Sequence, residues 1–70
     1  MGVAAKIRIL LIKRNMRLKD FAEKMGTSSS NISNKLTKDN FSEQEVKKIA
    51  EVLDCDYDIT FTLRDSGETI

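Results

Sequence analysis

Gly26 limits what this chain can fold into more than any other residue. It divides the stretch Phe21 to Leu36, FAEKMGTSSSNISNKL, and supplies the positive φ that a tight helix C-terminus favours. Ala22 and Met25 before it, and Ile32 after it, stand at offsets that suit two short helices crossing steeply. Ala22 is small enough for the second helix to come close, and Met25 is the last apolar residue of the first. Between Gly26 and Ile32 lie only Thr27, Ser28, Ser29, Ser30 and Asn31. A helix with so slim and polar a leading turn fits a DNA major groove. The competing reading is a flexible polar loop, in which Ile32 and Leu36 would lack a helix to bury them together.

The flanking segments carry helical signals of their own. Val3, Ile7, Leu10 and Leu11 form one apolar stripe, which predicts a helix from Val3 to Arg14 stopped at Asn15. Ile9 and Ile12 fall outside that stripe and imply a second packed side. Leu18, Phe21, Ala22 and Met25 recur at i, i+3, i+4 and i+7 and predict a helix from Leu18 to Met25. Its N-cap position falls on Arg17, which does not cap, and Asp20 in the first turn compensates through the helix dipole. Thr27 or Ser28 can cap the third helix, which runs to about Leu36, and Lys38 to Asn40 reads as a polar loop. Ser42 and Glu45 have capping-box spacing, with Phe41 placed to staple onto Val46. The fourth helix then shows Val46, Ile49, Ala50 and Leu53 on one face.

From Asp56 the period changes to two. Tyr57, Ile59, Phe61 and Leu63 alternate with Asp58, Thr60, Thr62 and Arg64, the pattern of a half-buried strand. Asp65 to Glu68 reads as a turn, with Thr69 and Ile70 starting a short return. A lone strand or stub hairpin leaves backbone groups unpaired. Pairing with the same strand of a second chain, through Tyr57, Ile59, Phe61 and Leu63, is one remedy. Folding over the chain's own helices is the other. The expected organisation is thus a helical domain over residues 1–55 with a C-terminal arm over 56–70.

The net charge of +1 conceals a strong asymmetry. Residues 1–38 hold nine Lys/Arg against Asp20 and Glu23, a balance of +7; residues 39–70 hold three against nine acids, a balance of −6. A basic half joined to an acidic half suits a surface that meets a polyanion, backed by one that avoids it. Two ordinary solvated faces are the plainer reading. The phosphate-facing candidates are Arg17 and Lys19 at the start of the second helix, Thr27 in the turn, and Lys35 and Lys38 after the polar helix. Open N–H groups at the second helix's N-terminus would add to them.

Several function classes recede on composition. Histidine is absent and Cys55 is the one cysteine, so no internal disulfide or His/Cys metal cage can be built, and no metal or other cofactor is expected. Cys55 reads as a small buried hydrophobe or a spectator, not a redox thiol. With no histidine and no paired nucleophile and base, the chain is not expected to be an enzyme. No apolar run approaches a membrane span, and no signal peptide is readable, so the chain reads as cytoplasmic. Seventy residues leave no room for a small-molecule effector domain, and so small a core would gain from a partner subunit.

Phe21-Ala22, Met25-Gly26-Thr27-Ser28, Asn31-Ile32-Ser33-Asn34 and Leu36, followed by the helix from Ser42 to Leu53, resemble the Cro/repressor-type helix-turn-helix family. This is also called the xenobiotic-response-element family. The resemblance spans about Val3 to Leu53. It implies a mainly α, four-helix lambda-repressor-like domain, here with a C-terminal β-strand or short hairpin paired across a dimer. It also implies a homodimeric transcriptional regulator, a repressor by preference, that binds double-stranded DNA. Carried over by position, the base-reading residues are Ser28, Ser29, Ser30 and Asn34, with Ser33 on the same face. Two positions depart from the family pattern: Lys35 replaces a frequent apolar residue, and Arg17 replaces a Thr or Ser cap. The alternative is the same fold used as a protein-interaction module, such as an antitoxin or complex subunit, with residues 54–58 and the strand as its working surface.

Overall fold

The computed structural model describes residues 2–70, and four helices make up its regular structure: α1 (Val3–Lys13), α2 (Leu18–Met25), α3 (Ser29–Lys38) and α4 (Glu43–Val52). The helical spacing in the sequence places each of them within two residues. The largest difference is α3, which continues past Leu36 to Lys38 because Asp39 accepts the left-handed conformation that ends it.

One apolar cluster holds the helices together. Ile7 and Leu11 from α1, Phe21 and Ala22 from α2, Ile32 and Leu36 from α3, and Ile49 and Leu53 at the end of α4 are all buried. Phe21 and Leu53 are the largest fully buried side chains, at 0% and 1% exposure. α2 lies against both α3 and α4, and α1 lies against α3. Phe41 packs on this cluster from just before the fourth helix. Ser42 then caps α4 reciprocally with Glu45, each side chain bonding the other's backbone N–H at 3.2 Å.

Every helix ends in the same device. The residue after the last turn is left-handed, and paired backbone bonds close the end: Gly26 N–H to the Glu23 carbonyl and Thr27 N–H to the Ala22 carbonyl, for example. Asn15, Asp39 and Asp54 take the equivalent place after α1, α3 and α4, with φ of 52°, 52° and 55°. These are Schellman closures, and Gly26 alone occupies its position without the Cβ penalty.

Remote side chains add bonds at three helix termini. Asp39 Oδ1 accepts from the Ala4 N–H in the first turn of α1 at 2.8 Å. Gly2 suits that approach, since a Cβ there would meet Asp39 Oδ2 at 1.8 Å. Arg14 donates through Nε to the Leu53 carbonyl and through an Nη to the Asp54 carbonyl, both at 2.8 Å. Lys48 Nζ donates to the Met25 carbonyl at 3.2 Å. Cations thus serve the carbonyl ends of α4 and α2, and an anion serves the amide end of α1, as the helix dipole favours.

The C-terminal arm differs from the half-buried strand that its alternation predicts. Among the described residues there is no β-strand, only an isolated antiparallel bridge between Thr62 and Thr69. Phe61 and Ile70 exchange both backbone bonds, at 3.0 and 2.8 Å, and Leu63 N–H donates to the Glu68 carbonyl at 2.8 Å. Tyr57, Ile59, Phe61 and Leu63 remain 38–70% exposed. The physical reason is that the folded helices offer no free backbone edge, so only the chain's own last residues can pair with it.

Candidate nucleic-acid interface

The polar stretch after Gly26 is a helix with two different sides. Ile32 and Leu36, one turn apart, are 2% and 3% exposed and face the core. Ser30 and Asn34 lie opposite them, while Ser29 and Ser33 flank the same outward side; all four are exposed. The helix is amphipathic through its bare outer face, not through an apolar surplus.

Its leading turn is fixed locally. Ser28 Oγ accepts from the Asn31 N–H at 3.1 Å, and Asn31 Nδ2 donates to Thr27 Oγ1 at 2.7 Å. Ser28 therefore has a structural duty as N-cap besides the base-reading role expected of it. Thr27 is half-buried, and its hydroxyl is already engaged. Asn31 stands in the sequence reading as part of the polar stretch and the family pattern but without a role; here it braces the turn through Ser28 and Thr27. Farther along, Thr37 Oγ1 donates to the Ser33 carbonyl at 2.9 Å, and Ser33 itself is exposed.

The candidate phosphate-facing side chains separate into two groups. Arg17, Lys19 and Lys38 are exposed, and the two at the head of α2 sit beside a helix N-terminus that no side chain caps. The first N–H groups of α2 are thereby open to an anion. Lys35 is different: its ammonium lies 2.6 Å from Glu45 Oε2, and both side chains are about one-third exposed. The Lys35 hydrogen bond, with help from the Ser42 N–H, holds the Glu45 carboxyl below the usual carboxylate range. No sequence signal marks this pair, because it joins residues on two different helices.

Ser29, Ser30, Ser33 and Asn34 thus share one outward surface, with Lys38 at its far end and α2's cationic head on a neighbouring helix. Tyr57, Ile59, Phe61 and Leu63 lie on the separate C-terminal arm. Among the described residues, no group of His, Cys, Asp and Glu could hold a metal ion, and no helix is long and apolar enough to cross a membrane.

A family model described as a Cro/C1-type HTH DNA-binding domain matches residues 6–58 of the chain. No curated protein and no solved structure matches it. The match covers α2, the Gly26 turn, α3 and α4 in full, together with most of α1. Four helices, a glycine-closed turn and an exposed polar face on the third helix agree with that description, and the chain belongs to the Cro/C1-type helix-turn-helix DNA-binding family.

Proposed function

We propose that this chain is a small homodimeric transcriptional repressor that reads double-stranded DNA with α3. The observation that carries the reading is the division of α3 into a buried side, Ile32 and Leu36, and an outward side of hydrogen-bonding residues with no apolar member. Ser28, Ser29, Ser30 and Ser33 offer hydroxyls that donate or accept and so touch many base edges without strong preference. Asn34 can pair bidentately with adenine, which is worth about 1–3 kcal/mol against a wrong base. Arg17, Lys19, Thr27 and Lys38 position the helix on the phosphate backbone, and Lys35 joins them when it leaves Glu45.

Such a reading face discriminates modestly by itself. Two copies held in register supply the rest, with half-sites about 34 Å apart, one turn of DNA. Tyr57, Ile59, Phe61 and Leu63 form the contact between the copies. Sequence-dependent DNA shape and bridging water add to the selectivity.

Salt dependence tests the reading. If about six phosphates are neutralised per dimer, log Kd against log salt should rise with a slope of roughly 5. Asn34→Ala should weaken binding chiefly on the preferred sequence, whereas Arg17→Ala should weaken it on all sequences alike. A flat salt response, or wild-type affinity in both variants, rejects the proposal.

A further inference from the structure

The second packed side that Ile9 and Ile12 imply is uncovered within the chain: they are 43% and 79% exposed. At 3.6 residues per turn, Ala5, Ile9 and Ile12 fall in one strip about 60° wide along α1. Ala4, Ile7 and Leu11 hold the inner side of the same helix in the core. Arg8 borders the strip on one side, and Lys6 and Lys13 border it on the other.

These three cations are exposed and enter no ion pair among the described residues. Asp56 and Asp58 share a groove with Lys6, yet neither pairs with it. No acid precedes Asp20 in the chain. Single exposed apolar residues are ordinary on a protein surface. This strip differs in being continuous along one helix face, with unpaired cations on both borders.

We propose that the strip is a docking surface for another protein, which presents an amphipathic helix whose apolar ridge is bordered by Asp and Glu. Two isoleucines and an alanine make a ridge narrow enough for one helix to pack on. Acids beside the partner's ridge would meet Lys6 and Lys13 on one border and Arg8 on the other. The charge pattern selects against other occupants. A second copy of α1 would set these cations against their own kind in either direction. An anionic bilayer calls for a broad apolar face with bulky side chains, and the rest of α1's apolar surface is committed to the core. Nucleic acid gains nothing from an apolar strip.

This surface is separate from those of the proposed regulator. Ile7 and Leu11 of α1 enter the same cluster as Ile32 and Leu36 of α3, so the outward sides of the two helices turn away from a shared core. Ile9 and Ile12 also line no part of the groove that Tyr57 and Ile59 border. A partner on α1 therefore leaves both the outward side of α3 and the C-terminal arm free.

The probe is a synthetic helical peptide of about sixteen residues, with leucine along one face and glutamate on both flanks. A second peptide carries glutamine in place of every glutamate. In heteronuclear NMR of the full chain, the acidic peptide should shift the amides of Arg8, Ile9, Ile12 and Lys13 and spare Asn34 and Phe61. Ile12→Ser and Lys13→Glu should each weaken binding about tenfold, and the glutamine peptide should bind about tenfold more weakly than the acidic one. Both variants change exposed side chains, so circular dichroism should show them folded. Duplex DNA should not displace the peptide. Shifts centred on α3 or the arm, equal binding of the two peptides, wild-type affinity in both variants, or displacement by DNA overturns the proposal. Phosphatidylglycerol vesicles that bind through Ile12, with no response to the peptide, overturn it in favour of a membrane. A sedimentation mass that falls in Ile12→Ser overturns it in favour of a second copy.

Discussion

Lys35 and Glu45 join the outward helix to the helix behind it: the ammonium of one lies 2.6 Å from the carboxylate of the other. The pair ties α3 to the first turn of α4, where Glu45 also closes the capping box with Ser42. One carboxylate therefore sets both the start of α4 and the availability of a cation beside the candidate DNA surface.

Replacing Glu45 by Gln should separate these two duties. Gln keeps the capping-box geometry but loses the charge. The cost to stability should be below about 1 kcal/mol, since the pair is partly solvent-screened. Freed from Glu45, Lys35 should gain phosphate contact, so DNA affinity should rise and the log–log salt slope should steepen by about one unit per protomer. An unchanged slope in a fluorescence-anisotropy titration would show that Lys35 does not reach DNA.

The same carboxyl predicts a pH effect with a definite sign. Glu45 titrates below its ordinary value of 4.5 in the folded chain because the Lys35 ammonium and the Ser42 N–H favour its charged form. A depressed carboxyl contributes stability that is present above the ordinary value and lost as pH falls through the lowered one. The gap in melting temperature between wild type and Glu45→Gln should hold steady from neutrality down to about 4.5, then close at lower pH. A gap that widened on acidification would reverse the assignment.

Ile32→Asp tests the inner side of α3. Ile32 is 2% exposed, and a carboxylate there would be buried without a partner. The domain should unfold or lose several kcal/mol, seen as loss of the helical dichroism signal or a steep fall in denaturation midpoint. A variant that melts like wild type would place the helix on the wrong rotation.

Asp39 serves two helices and should be costly to lose. Its carboxylate accepts the Ala4 N–H of α1, and its backbone closes α3 at φ 52°. Asp39→Ala should cost about 2 kcal/mol, combining a lost cap with left-handed strain. Asp39→Asn keeps an acceptor and tolerates the backbone, so it should cost less than half as much. Equal losses in urea denaturation would argue against this division.

The helical part of the fold was legible because local signals agreed with one another. The Ser42–Glu45 box, the Gly26 closure and the stripes through Ile7, Phe21 and Ile49 each act within a few residues. Ile32 and Leu36 sufficed to orient α3. Contacts of long reach were not legible: Asp39 to Ala4, Arg14 to Leu53 and Lys35 to Glu45 arise only once the helices are placed. The arm shows the converse. Its alternation from Tyr57 to Leu63 is plain, but a period of two says only that one face wants cover and does not say what provides it. Within one chain that face stays open. Ser29, Ser30, Ser33 and Asn34 are exposed on α3, yet the sequence could not set them apart from Ser28 and Thr27, whose hydroxyls the turn already uses.

The central claim is that α3 reads DNA as one of two symmetric copies. In-vitro selection of wild-type protein on a random duplex library tests it most directly. Selection should enrich a palindrome whose half-sites lie roughly 10 base pairs apart, centre to centre, with adenine favoured where Asn34 docks. Asn34→Ala should lose that adenine preference while keeping the spacing. A library that emerges without an enriched motif would contradict the claim. An enriched asymmetric single site would contradict the two-copy half of it.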